Sequence, residues 1–244
     1  MPVSFGSSTP SSHKLGSSTV AKLYFGSSLV WPTDSVVSST VLLMHFDGTG
    51  TSLADSAASP ATITAYGDAT QSTSVYKWGS AYLALDGTGD YAVASHASKL
   101  AMTGDFVVEF WAYPTTTAAG LRTMLHMNAG GIAGLHIYQS GATLNVDNGL
   151  ASAFGSGSVL TANTWHYIAV SRNGSTINTF LNGARLDSRT AQSYGTPNAA
   201  WVGRFYGNAS YVFTGYLDEL RIANTSSGFT GSTVTVPTGP FANP

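Results

Sequence analysis

The chain alternates short apolar runs with breaks that carry Gly, Asn or Asp, and the pattern is clearest over residues 165–186. Residues 165–172 (WHYIAVSR) and 175–181 (STINTFL) are rich in Ile, Val, Thr, Phe and Tyr, the types that suit a pleated, half-buried surface. Asn173-Gly174 and Asn182-Gly183 follow them, and Asn-Gly is the dipeptide favoured by two-residue hairpin loops with positive φ at both positions. Gly or Asn interrupts every window long enough to nucleate a helix. The stretch therefore predicts a three-stranded antiparallel meander, which needs neighbouring segments to cover it.

The same period of two runs through residues 106–113 (FVVEFWAY). Phe106, Val108, Phe110 and Ala112 share one face, and Val107, Glu109, Trp111 and Tyr113 share the other. Further strands are predicted at 41–46, 122–126, 134–139, 143–147, 200–204 and 211–222. Residues 82–86 and 91–95 read as a hairpin about Gly87-Thr88-Gly89. No long helix is predicted, and residues 96–102 suit one helical turn at most. Residues 1–38 form an N-terminal arm whose apolar stretch 20–32 (VAKLYFGSSLVWP) reads as two short strands about Gly26. A hairpin of that size is marginal in water by itself, so Tyr24, Phe25 and Trp31 are expected to pack either on the main domain or on a neighbouring copy, where they would serve assembly. Residues 39–225 form the main domain, and the polar, Pro- and Gly-bearing residues 226–244 form a C-terminal tail.

Composition narrows the classes. The 244 residues suit one large β domain, and 43% hydrophobic residues suffice for a core although only 9% are charged. A net charge of −2 gives no basic footprint for nucleic acid. The absence of Cys removes disulfides, thiolate metal sites and cysteine nucleophiles, and favours a bacterial or viral source. No apolar run approaches membrane-spanning length, so membrane insertion is not expected, and residues 1–18 lack the apolar core of a secretory signal.

Five stretches carry a family resemblance. They are residues 41–55 (VLLMHFDGTGTSLAD) with Trp78-Gly79, 85–93 (LDGTGDYAV), 105–114 (DFVVEFWAYP), 164–186 and 215–222 (GYLDELRI). In this order they resemble the laminin-G-like jelly roll of the concanavalin A-like lectin/glucanase superfamily. The resemblance implies an all-β fold, an antiparallel two-sheet jelly-roll sandwich, here with a short N-terminal β arm and a C-terminal tail. Residues 20–32 also resemble short segments near the ends of bacteriophage structural proteins. Together these imply a non-enzymatic virion component, a capsid decoration or tail/fibre protein on the particle surface, with other virion proteins and copies of itself as partners. The alternative is a glycan-binding lectin-like module that recognises a cell-surface glycan, and behind it a glycan hydrolase.

The resemblance also suggests where chemistry would lie. Family members often hold calcium at the sandwich rim through loop aspartates, and Asp47, Asp55, Asp86, Asp90 and Asp218 lie in matching loops. Calcium takes six to eight oxygen ligands, although Asp-Gly at Asp47 and Asp86 also caps turns unaided. Asp218 shares strand parity with Leu220 and Ile222, which predicts a core-facing acid in need of a partner. Glu109, Trp111 and Tyr113 on one strand face are the candidate glycan-binding set. Asn198, Arg204, Tyr206, Asn208 and Tyr211 are further loop candidates. Hydrolysis needs two carboxylates about 5–9.5 Å apart, yet the chain has only Glu109 and Glu219 as glutamates and no Glu-x-Asp-x-x-Glu strand. The six histidines show no helical metal-ligand spacing, and no Gly-x-Ser-x-Gly elbow occurs.

Overall fold

The computed structural model describes residues 36–96, 98–128, 130–131, 133–149 and 160–244, and the backbone alone of residue 35 and of the strands at 13–15, 18–20, 23–25, 28–31 and 154–159. Two antiparallel pairs come first, β1 (His13–Leu15) with β2 (Ser18–Val20) and β3 (Leu23–Phe25) with β4 (Ser28–Trp31). The second pair sits where the sequence predicts it, with Tyr24 opposite Leu29 and Phe25 opposite Ser28. The side chains of the assembly candidates Tyr24, Phe25 and Trp31 lie outside the described residues.

A one-turn helix, α1 (Ser35–Ser38), leads into β5 (Thr40–Met44), β6 (Thr62–Tyr66), β7 (Thr70–Ser72), β8 (Tyr82–Asp86) and β9 (Tyr91–Ser95). The long strand β10 (Phe106–Pro114) follows, then β11 (Leu121–Asn128), β12 (His136–Ser140), β13 (Thr143–Asp147) and β14 (Phe154–Val159). The meander is β15 (His166–Asn173), β16 (Thr176–Leu181) and β17 (Ala184–Thr190). Last come β18 (Ala199–Val202), β19 (Arg204–Phe205), β20 (Asn208–Val212) and β21 (Thr214–Ala223).

These strands form two antiparallel sheets. The first runs β17-β16-β15-β10-β21-β8-β7, with β5 also on β21. The second runs β14-β13-β12-β11-β18-β9-β6, with β20 beside β11 and β19 paired to β20. Between them lies the core. Phe106, Val108, Phe110 and Ala112 of β10 meet Leu125, Ile137, Val146 and Val202 of the second sheet, as the alternation predicts. The Asn182-Gly183 loop has positive φ at both residues, 50° and 89°. The preceding loop falls one residue later than expected. Asn173 pairs with Thr176, which leaves Gly174 (φ 55°) and Ser175 as the loop, the arrangement with Gly first.

Two expectations are corrected. Residues 82–86 and 91–95 are not a hairpin, because β8 joins the first sheet and β9 the second. The chain crosses between sheets at Gly87-Thr88-Gly89, and the Asp90 carboxylate pins that corner by accepting from the N–H groups of Asp86 (3.0 Å) and Asp68 (2.5 Å). Asp218 does not share a face with Leu220 and Ile222. The register of β21 against β10 slips between Glu109 and Trp111, and Glu219 takes φ 51°. This bulge reverses the parity, so Leu217, Leu220 and Ile222 all reach the core while Asp218 pairs with Trp111.

The outer face of the first sheet is apolar as well. Val107, Trp111, Tyr167, Ala169 and Phe180 form a second cluster there. Residues 226–244 close over it as a strap, burying Phe229, Val234 and Phe241 in the same cluster. Val234 N–H donates to Gly183 O (2.8 Å), Arg185 N–H to Ser232 O (2.9 Å) and Ser171 Oγ to Phe229 O (2.7 Å). A strap packed in this way belongs to the folded unit. Phe229→Ala is expected to cost about 3 kcal/mol, at the lower end for buried Phe→Ala, read as a lower urea midpoint. An unchanged midpoint would show that the strap contributes nothing to stability.

Candidate functional site

Glu109 and Trp111 do share a face with Tyr113, but that face is covered. Glu109 is 1% exposed and Trp111 5%. Arg221 grips Glu109 Oε1 through Nε (2.8 Å) and Nη2 (2.6 Å), and the Tyr167 hydroxyl donates to Oε2. Phe241 of the strap lies over the Arg221 guanidinium at 4.2 Å. Burial and the Glu109 charge push the Tyr167 hydroxyl far above its ordinary pKa, so it stays protonated and donating. The loop before β8 covers Trp111, with Lys77 Nζ 4.2 Å from its ring and Trp78 edge-on to it. Sugar could reach Glu109 or Trp111 only by displacing these covers. Tyr113, half-buried, stacks on Tyr216 (5.2 Å) and meets Trp165 edge-on (5.3 Å), and Trp165 Nε1–H donates to Val75 O (2.9 Å) of the same loop.

The five aspartates proposed for calcium do not converge. Asp55 accepts the N–H groups of Leu43, Ala57 and Ala61, Asp86 that of Thr88, and Asp90 those of Asp68 and Asp86. Each is a backbone anchor. Asp47 holds Ser80 N–H (2.5 Å) and Ala81 N–H (3.2 Å). Among the described residues, one group brings three potential ligand atoms within 4.8 Å of each other, and it is His45, Asp47 and Glu219. His45 Nδ1 lies 2.8 and 2.9 Å from the two Glu219 oxygens, and Nε2 lies 2.8 Å from Asn243 Oδ1. The Glu219 hydrogen bond raises the His45 pKa to about 9 against the opposing effect of burial. The ring is therefore an imidazolium that donates on both sides, and a cation would have to displace its proton. These donors do not fit calcium. The group instead fastens the strap, whose Phe241 N–H donates to Glu219 Oε2 (2.8 Å).

Asp218 is fully buried. Its Oδ2 accepts from Lys77 N–H (2.7 Å) and Trp78 N–H (3.1 Å), while Oδ1 has no partner. Burial pushes its pKa up to about 8, against those two N–H groups, which favour the charged form.

The second sheet holds Thr123, His136 and Asp147 in line. Thr123 Oγ1 is 2.8 Å from His136 Nε2, and His136 Nδ1 is 3.2 Å from Asp147 Oδ1. The order is that of a nucleophile, a base and an orienting acid, but Thr123 is 0% exposed and cannot meet a substrate. His166 bonds locally to Thr161.

The outer face of the second sheet differs in kind, for a band of rings runs along it. Tyr66 on the edge strand β6 stacks on Tyr91 (4.5 Å, 6°), and Tyr91 stacks on Trp201 (5.3 Å, 12°). Tyr206 stands edge-on to Trp201 at 5.2 Å. Further along, Phe205 bridges His126 (4.4 Å) and His136 (4.5 Å), and His136 stacks on Tyr138 (4.3 Å). The spacings follow from the sheet. Adjacent strands lie about 4.8 Å apart, so Tyr66 and its register partner Tyr91 stand side by side like plates in a rack, and Trp201, opposite Val93, reaches Tyr91 from the diagonal position. Tyr66, at the end of the rack, keeps one ring face open and is 43% exposed. Tyr206 is 38% exposed. Arg204 lies over Tyr91, 4.6 Å from its centroid. Arg204, Tyr206 and Tyr211 were legible as candidates, and the fold adds Tyr66, Tyr91 and Trp201.

The sequence profile of the concanavalin A-like lectin/glucanases superfamily matches residues 86–227, more than half of the chain. The chain belongs to this superfamily. A search of curated proteins finds no match. Among solved structures, this superfamily sandwich is similar to the binding domain of botulinum neurotoxin serotype D/C VPI 5993, with a TM-score of 0.63 at 12% identity over 78% of this chain and 50% of that one. The binding domain of Paraclostridial Mosquitocidal Protein 1 gives 0.62 at 12% identity, over 78% and 50%. A structure of botulinum neurotoxin type C, whose cell entry is described as dependent upon interaction with two ganglioside molecules, gives 0.59 at 10% identity, over 78% and 49%. At these identities the likeness is one of fold, and the chain spans about half the length of these neighbours.

The covered face of the lectin-like sandwich makes two measurable predictions. Glu109→Gln leaves the Arg221 charge buried without its counter-ion and is expected to cost about 3–5 kcal/mol in urea unfolding; a change below 1 kcal/mol would refute the pairing. The second concerns pH. His45 has its folded pKa raised from 6.5, so its stabilisation is complete below pH 6.5 and lost as pH rises through 9. Asp218, raised from 3.8 to about 8, likewise favours the folded state at low pH and has lost that contribution above pH 8. Stability should therefore fall between pH 6.5 and 9, and His45→Gln should flatten the upper part of that slope. A urea midpoint constant from pH 6 to 9.5 would contradict both assignments.

Proposed function

We propose that this chain is a glycan-binding, lectin-like module and that saccharide docks on the outer face of the second sheet. The observation that carries this reading is the ring band with its open end at Tyr66 and Tyr206. Pyranose rings present flat C–H faces that pack on aromatic faces, and an exposed aromatic row on a sheet marks a contact surface. On the opposite sheet the strap and the loop through Lys77 and Trp78 cover Glu109 and Trp111, and the ring row there, Trp165, Tyr113, Tyr216 and Tyr82, is half-buried or buried. Membership of a superfamily of lectins and glucanases supports the reading, as does a fold shared with toxin binding domains, one of them from a toxin that interacts with gangliosides.

We infer binding without catalysis. Glu109 and Glu219 are engaged by Arg221 and His45, and they hold the strap in place. The virion reading rests in part on the N-terminal arm, where the side chains of residues 1–35 lie outside the described residues. The structural neighbours favour the glycan-binding alternative over it.

A glycan array probed with the full chain tests the proposal. Tyr66→Ala and Tyr206→Ala are expected to weaken the strongest signal roughly tenfold each, the scale of one lost stacking contact, with unfolding midpoints close to wild type. An array without signal, or binding indifferent to both substitutions, would sink it.

A further inference from the structure

We propose that the saccharide taken by this face is anionic, bearing a carboxylate or a sulfate, and that Arg204 is its charge partner. The inference rests on the glycan-binding reading above and adds the chemical class of ligand. The chain has six arginines, and five of them reach an acceptor. Arg221 pairs with Glu109 and Arg189 with Asp187. Arg122 donates to Ala118 O (2.8 Å), Arg172 to Gly174 O (2.9 Å) and Arg185 to Gly231 O (3.2 Å). The Arg204 side chain forms no hydrogen bond or ion pair with any described residue, and its Nε is buried with no partner.

The backbone puts Arg204 in this position. Gly203, at φ 91°, separates it from the end of β18, and a Cβ there would stand 2.6 Å from Leu85 Cδ1, so the kink is reserved for glycine. The kink lays the guanidinium 4.6 Å from the centroid of Tyr91 and 5.7 Å from that of Trp201, in the middle of the open ring band. Ring faces attract the charge but offer no acceptor to the N–H groups. A buried N–H left unsatisfied is costly, and a guanidinium half-withdrawn from water beside aromatic rings binds a counter-ion more strongly than one in bulk solvent. Its planar fork matches a carboxylate or sulfate through two parallel hydrogen bonds. A neutral sugar could stack at Tyr66 and Tyr206 without answering Arg204. An acidic saccharide does both.

The test is an array of neutral glycans printed beside their sialylated, uronic-acid and sulfated counterparts, followed by calorimetric titration of the best matched pair. Wild type is expected to prefer the anionic member by about ten- to a hundredfold, the range of one charge-assisted hydrogen-bonded contact, and the preference should shrink as salt is raised. Arg204→Gln should bring the ratio of anionic to neutral affinity down to about one, the ratio rather than either absolute affinity being the readout. Arg204→Lys, which keeps the charge and loses the fork, should retain part of it. The carboxylated and sulfated spots decide which anion is read. Equal binding of neutral and anionic partners, or a preference that survives in Arg204→Gln, overturns the charge assignment and leaves glycan binding standing. An array with no binding at all overturns both.

Discussion

Strand β10 is buried on both faces from Phe106 to Ala112, and most of the architecture answers that constraint. A strand of this kind needs two covers. The second sheet supplies one, through an ordinary interdigitated core. The other is assembled from two segments far apart in sequence, the loop through Lys77 and Trp78 and the strap at residues 226–244. The polar groups trapped beneath them, Glu109, Arg221 and Tyr167, answer one another, which a buried network must do if it is not to weaken the fold.

The two outer faces of the sandwich are therefore unequal. One is occupied by the chain itself and fastened by an imidazolium–carboxylate contact between His45 and Glu219. The other carries its aromatic residues outward, buried at His126, His136, Tyr138 and Phe205 and exposed at Tyr66 and Tyr206. Tyr66 stands directly opposite Tyr91, and Trp201, opposite Val93, stacks on Tyr91 as its diagonal neighbour, so the inner rings spend their faces on each other and the exposed rings are those at the ends of the row. On the proposed glycan-binding reading, contact with a ligand would be concentrated at Tyr66, Tyr206 and Arg204 rather than spread over the whole band.

Local patterns in the sequence were reliable where the physics is local. The alternation of β10 and the Asn182-Gly183 turn could be read directly, because side-chain parity and positive φ are properties of a few consecutive residues. The bulge at Glu219 could not, since a single inserted residue leaves no compositional trace yet moves Asp218 to the other side of the sheet. The corner at Gly87-Thr88-Gly89 resembles a hairpin until the partners of β8 and β9 are known: β7 and β21 for one, β6 and β18 for the other. The same limit hid half of the site. Arg204 and Tyr206 stood out as polar and aromatic residues in a loop, whereas Tyr66, Tyr91 and Trp201 look like ordinary strand residues until pairing lines them up.

Arg204 and Tyr206 both belong to the β19–β20 hairpin, which joins the second sheet at its margin, through Thr123 opposite Val212 on β11. The hairpin contributes Phe205 and Val212 as its buried apolar residues and little else to the interior. Its tip could change in length or composition without disturbing the register of either sheet. If the face binds glycan as proposed, the sandwich is a chassis and this hairpin an exchangeable reader, whose ligand could be changed by redrawing one short turn.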